Sequence, residues 1–221
     1  DDDGDFVVAT WGFEGTLLRR FEADGGLKGE PQSFWATNGV DLAMNGDGDL
    51  IVLWGDGYQV RATYYSENGQ EGVEVALDAY GQAGKVAIDD DGDFVVTWTS
   101  LSTSAPTTYF RLFDDSGLPI TAARAFQTED AGYWLTHDVD MDSSGNFVVT
   151  WNETQGWGPQ YFVQAFNAAG YAVSPMVQLI EIGGDAFDPE VTLSDIGDYA
   201  VSWRPIWSNE TMMWRFDVDQ S

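Results

Sequence analysis

A motif that recurs five times constrains this chain more than any other feature. Gly4-Asp5-Phe6-Val7-Val8, Gly48-Asp49-Leu50-Ile51-Val52, Gly92-Asp93-Phe94-Val95-Val96, Gly145-Asn146-Phe147-Val148-Val149 and Gly197-Asp198-Tyr199-Ala200-Val201 align at glycine spacings of 44, 44, 53 and 52. Each copy runs on to a tryptophan: Trp11, Trp54, Trp98, Trp151 and Trp203. A repeat of about 20–50 residues forms one supersecondary unit that buries its apolar surface only against neighbouring units. The copies therefore predict a single repeat domain over 1–221, with modules at about 1–39, 40–84, 85–136, 137–188 and 189–221.

Within a module the pattern is one of short antiparallel strands. Ten residues before the tryptophan stands an apolar residue, Met44, Ile88, Met141 or Leu193, closing an alternating stretch such as Lys85-Val86-Ala87-Ile88. An Asp/Gly turn then leads into the motif strand. A second turn follows where an aromatic precedes a glycine by four residues: Phe21 and Gly25, Tyr65 and Gly69, Phe113 and Gly117, Phe166 and Gly170. Another strand-like run comes after each, for example Met176-Val177-Gln178-Leu179-Ile180. In the first copy the tryptophan lies seven residues after the glycine instead of six, and the extra residue at Ala9-Thr10 predicts a β-bulge.

Along the motif strand Phe147, Val149 and Trp151 point one way and Val148 and Thr150 the other, so both faces are largely apolar. A sheet apolar on both faces must be covered on both. The expected fold class is all-β: tandem four-stranded antiparallel modules forming a β-propeller or part of one, with a linear stack of sheets as the alternative. The chain opens on the turn after a module's first strand and closes after a third strand, which reads as a piece of a longer chain.

The run Ile88-Asp89-Asp90-Asp91-Gly92-Asp93-Phe94-Val95-Val96-Thr97-Trp98, followed by Tyr109-Phe110-Arg111-Leu112-Phe113-Asp114-Asp115-Ser116-Gly117, resembles the GDFVVTW-type repeats of large secreted bacterial proteins of the hemolysin-type, or RTX-associated, group. The resemblance extends over all five copies. It implies secretion or cell-surface attachment and a propeller-like architecture, and it brings no catalytic residue set. The acidic turns thin out in the last two modules, to Asp142-Ser143-Ser144-Gly145-Asn146 and Ser194-Asp195-Ile196-Gly197-Asp198.

Thirty-seven acidic residues against nine basic ones give a formal charge of -28, a field that repels nucleic acid and anionic lipid surfaces. Ten Trp, nine Tyr and thirteen Phe place the chain outside the disordered acidic class. With no cysteine, disulfide, thiolate and zinc-thiolate chemistry are excluded. No apolar run approaches the roughly 18 residues that span a bilayer as a helix.

Three kinds of site are conceivable. Calcium takes six to eight hard oxygens, and the turns offer Asp1, Asp3 and Asp5, then Asn45, Asp47 and Asp49, then Asp89, Asp91 and Asp93; the alternative is that Asp and Gly simply suit tight hairpins. Tryptophans outside the repeat position, Trp35, Trp134, Trp157, Trp207 and Trp214, are candidate platforms for sugar rings, with core packing as the alternative. Glycoside hydrolysis needs only two suitably spaced carboxylates, and an abundance of acid gives that reading no specificity. His137, the only histidine, is expected to be structural or exposed. The loops around Leu101 to Thr108 and Glu153 to Gln160 are either binding loops or insertions.

These features lead to the expectation of a non-catalytic extracellular scaffold, adhesion or assembly module, possessing calcium-stabilised turns and engaging a protein partner, a larger assembly or surface glycans. A lectin-like carbohydrate-binding propeller is the alternative, and a glycoside hydrolase a distant one.

Overall fold

The computed structural model describes residues 1–12, 15–36, 39–57, 59–102, 106–126, 136–155, 158–179, 189–204 and 210–217. Its regularity begins in the first turn of each repeat. The glycine N–H donates to the carbonyl three residues earlier, at Asp1, Asn45, Asp89, Asp142 and Ser194, over 2.8–3.2 Å. Gly92 there has φ +87°, a conformation that costs any residue with a Cβ.

Five antiparallel sheets follow in chain order. The first holds β1 (Phe6–Gly12), β2 (Gly15–Phe21) and β3 (Gln32–Phe34); the second holds β4 (Val40–Met44), β5 (Leu50–Gly55), β6 (Val60–Tyr65) and β7 (Glu71–Asp78). In the third are β8 (Gly81–Ile88), β9 (Phe94–Ser100), β10 (Thr107–Phe113) and β11 (Arg124–Ala125). The fourth comprises β12 (His137–Met141), β13 (Phe147–Gln155), β14 (Gly158–Phe166) and β15 (Val177–Leu179), and the fifth β16 (Glu190–Leu193), β17 (Tyr199–Trp203) and β18 (Met212–Phe216). Each sheet is a meander, and no helix occurs among the described residues. The all-β expectation of tandem antiparallel modules therefore holds.

Register explains the two aromatic positions of the repeat. Phe6 pairs with Phe21, Phe94 with Phe113, Phe147 with Phe166 and Tyr199 with Phe216, their rings stacked at 4.7–5.0 Å. Such cross-strand pairs contribute about 0.5–1.5 kcal/mol beyond burial. The bulge expected at Ala9-Thr10 is corrected. β1 pairs with β2 without a shift from Phe6 to Gly12, so Thr10, opposite Leu17, takes the register position that Trp98 takes opposite Tyr109. The extra residue moves Trp11 one place along the strand, leaving the ladder intact.

Sheets pack face to face in sequence order. Phe147, Val149 and Trp151 enter a core shared with Val95 and Phe110 of the third sheet, whereas Val148 enters one shared with Val201 and Trp203 of the fifth. The first strands β4, β8, β12 and β16 lie next to one another along one side of the array. Each is an edge strand with unpaired N–H groups, and carboxylates from the preceding sheet satisfy some of them. Asp41 Oδ2 accepts from Val86 N–H at 2.9 Å, Asp138 Oδ2 from Val191 N–H at 2.9 Å, and Asp140 Oδ2 from Leu193 N–H at 2.7 Å. Lys85 Nζ stands between Asp41 and Asp138, at 3.5 and 3.8 Å. Burial raises the pKa of all three carboxyls.

Candidate functional site

Two inter-sheet interfaces share a frame of repeat-equivalent positions and differ in the rings that fill it. Between the third and fourth sheets, Trp151 stacks on Phe162 at 5.6 Å, and Phe126 meets it edge-on at 5.1 Å. Phe110 closes the layer against Phe147 and Phe166 at 5.3 and 5.1 Å. Between the first and second sheets the frame is the same. Leu18 pairs with Gln32 as Phe110 pairs with Arg124. Gln32 reaches the Gly69 carbonyl just as Arg124 reaches that of Gly170. Phe34 approaches Trp54 at 5.6 Å, taking the place of Phe126 against Trp151.

Two large rings are missing from that frame. Leu18 stands where Phe110 does, three residues before the turn aromatic, and Arg61 stands where Phe162 does, four before it. Between these two sheets lies a groove of about 330 Å³ with Phe34, Trp54 and Tyr65 as apolar wall and Gln32, Thr63, Glu71 and Glu74 as polar wall. That volume lies at the lower end for ligand pockets, which run from about 300 to 1,000 Å³. Trp98, Trp151 and Trp203 are 3, 1 and 3 % exposed, whereas Trp54 is only half-buried. Its indole N–H donates to Thr63 Oγ1 at 3.1 Å, which fixes the ring plane. Arg61 lies 5.7 Å from that ring and is held by Glu74, by Asp56 at 3.4 Å and by Gln59 at 2.6 Å. Glu71, exposed at the mouth, has no hydrogen-bond partner among the described residues.

The turn residues weighed as calcium ligands are engaged in other ways. Asp1, Asn45 and Asp89 each accept the N–H four residues on, at 2.7, 2.9 and 2.9 Å. Asp5, Asp49 and Asp93 reach across to the second turn, accepting from Ala23, Glu67 and Asp115 at 3.0–3.1 Å. Asp3, Asp47 and Asp91 are exposed. No group of three or more His, Cys, Asp or Glu with metal-binding geometry occurs among the described residues. Burial pushes Asp89 up to about 6.

Trp35, 61 % exposed, follows Phe34 at the end of β3. Trp214, 37 % exposed, lies edge-on to Trp203 at 6.2 Å. Trp134, Trp157 and Trp207 lie outside the described residues, as do parts of both long loops. His137 is 4 % exposed beside Phe126, and burial pushes its imidazole down to about 3, so it is neutral and structural. The groove residues were not among the candidates that the sequence offered. A signal was nevertheless present: Arg61 is a charge where the next two modules have Tyr109 and Phe162.

No family model and no curated protein matches the chain. Among solved structures it is similar to TolB from Acinetobacter baumannii, with 16% identity and a TM-score of 0.59, over 100% of this chain and 52% of that one. It thus spans about half the length of TolB. An ulvan lyase, described as a new family of polysaccharide lyase bound to -[GlcA(1-4)Rha3S]-, gives 11% identity and a TM-score of 0.69 over 99% of this chain and 68% of that one. The Dos1 propeller gives 17% identity and 0.58, over 94% and 52%. At these identities the likeness defines the fold: the chain has β-propeller architecture. It also corrects the functional expectation. A non-catalytic scaffold, adhesion or assembly role was read from the repeat architecture, and that architecture is shared with a polysaccharide lyase, so the fold gives the role no support.

Proposed function

We propose that this chain is a carbohydrate-binding part of a β-propeller, with the groove between its first two sheets as the saccharide site. The observation that carries the reading is the groove itself, where the half-buried Trp54, its ring fixed by Thr63, lies with Phe34 and Tyr65 beside Gln32, Glu71 and Glu74. Sugar rings present apolar faces and hydroxyl edges, and the hollow offers matching surfaces: a fixed indole and two further aromatics, beside carboxylate and amide acceptors.

A secreted or cell-surface location accords with the resemblance of the repeats and with the acidic surface. The test is a glycan array followed by calorimetry on the best ligand. Binding that Trp54→Ala reduces at least about tenfold supports the reading, and silence across the array, or binding indifferent to Trp54, overturns it.

A further inference from the structure

The charges around the groove restrict which saccharide it takes. Glu71 and Glu74 line it, and Asp56 stands behind Arg61. Outside the lining, Arg20 donates to the Gly48 and Glu67 carbonyls, both at 3.1 Å, in the field of the Asp49 and Glu67 carboxylates. Arg61 is thus paired with carboxylates, and the two carboxylates of the lining have no cation among the lining residues. Glu71 projects at the mouth with no partner of its own among the described residues. Tyr65, in the wall, has its hydroxyl pKa raised by burial and then by the charges of Glu71 and Glu74, with Arg20 acting the other way.

On this basis, and resting on the saccharide reading above, we propose that the groove recognises an aminated, positively charged sugar, with Glu71 as the carboxylate that pairs with its ammonium group. An ammonium on the ring edge and a ring face on Trp54 satisfy the two walls at once. A uronic or sulfated sugar instead brings its anion against Glu71 and Glu74. The net charge of -28 acts in the same direction at long range, drawing cationic chains in and holding anionic ones off.

The experiment titrates the full chain with a glucosamine tetramer, its fully N-acetylated counterpart and a tetragalacturonate, at about pH 6, where the sugar amine is protonated, and at low salt. The free amine is expected to bind at least about tenfold tighter than the N-acetylated tetramer, and the uronate not at all. Glu71→Gln is expected to erase the preference, lowering the affinity for the free amine at least about tenfold more than that for the N-acetylated tetramer. Bulk attraction to an acidic surface does not respond to the loss of one charge among thirty-seven, so that variant separates site from field. Equal affinity for the two tetramers, uronate binding, or a preference that survives Glu71→Gln overturns the aminated class. If no saccharide binds, or Trp54→Ala leaves every affinity intact, the carbohydrate reading itself fails with it.

Discussion

Arg61→Phe separates what the groove does for folding from what it does for binding. Position 61 pairs with Trp54 as Phe162 pairs with Trp151, so the new ring has a ready place on the indole face. The change removes ion pairs to Glu74 and Asp56 in which the guanidinium is 26 % exposed and its partners 36 and 30 % exposed. Such pairs contribute about 0–1 kcal/mol each, and the cation–π contact about 0.5–1 kcal/mol. Against this, an aromatic pair adds about 0.5–1.5 kcal/mol, and half-burial of a phenyl adds about 1 kcal/mol more. The balance lies within about 2 kcal/mol of zero, a shift in Tm of no more than about 8 °C for a chain of this size. Saccharide affinity should nevertheless fall at least about tenfold, or about 1.4 kcal/mol, because the Glu74 carboxylate in the groove wall loses the guanidinium that holds it. Calorimetric titration beside thermal unfolding reads both quantities. Wild-type affinity in this variant, or destabilisation by more than about 2 kcal/mol, refutes the equivalence of positions 61 and 162.

The reciprocal change, Phe162→Arg, drives a charge into the closed interface where Phe162 is 6 % exposed, and should cost at least about 3 kcal/mol by denaturant titration; near-neutrality would mean that interface is open as well. Asp138→Ala orphans the Val191 N–H and should cost about 1–3 kcal/mol, whereas Asp138→Asn keeps an acceptor and should cost under about 1 kcal/mol; equal losses would remove the inter-sheet bond from the explanation. Asp89, at about 6, and Asp41, Asp138 and Asp140 all have folded pKa values above those of the unfolded chain. The folded state therefore binds protons more readily, and stability should rise as pH falls from about 7 through 6 towards 4, then level off. Asp89→Asn should flatten that rise, and a Tm that falls steadily over the same window contradicts the assignment. Because Asp1, Asn45 and Asp89 already cap their own turns, millimolar calcium against chelator should move Tm by no more than about 2 °C; a rise of several degrees would make the exposed Asp3, Asp47 and Asp91 metal ligands.

The sequence by itself determined the modules, the turns and the two-faced strands, because these rest on local rules. Gly92 at positive φ, Asp89 capping Asp93, and the alternation of Phe147, Val148 and Val149 are each settled within a few residues of chain. Even the carboxylates first weighed as metal ligands obey that logic, since most of their partners lie in their own or the adjoining turn. Tertiary structure alone decided which sheet faces which, and so which repeat positions meet. Arg61 stands out from Tyr109 and Phe162 in the sequence, yet its consequence depends on Leu18 and Phe34 arriving from another sheet. A groove is the difference between two packed surfaces. Its volume is written in neither strand and exists only once both side-chain layers have been brought together.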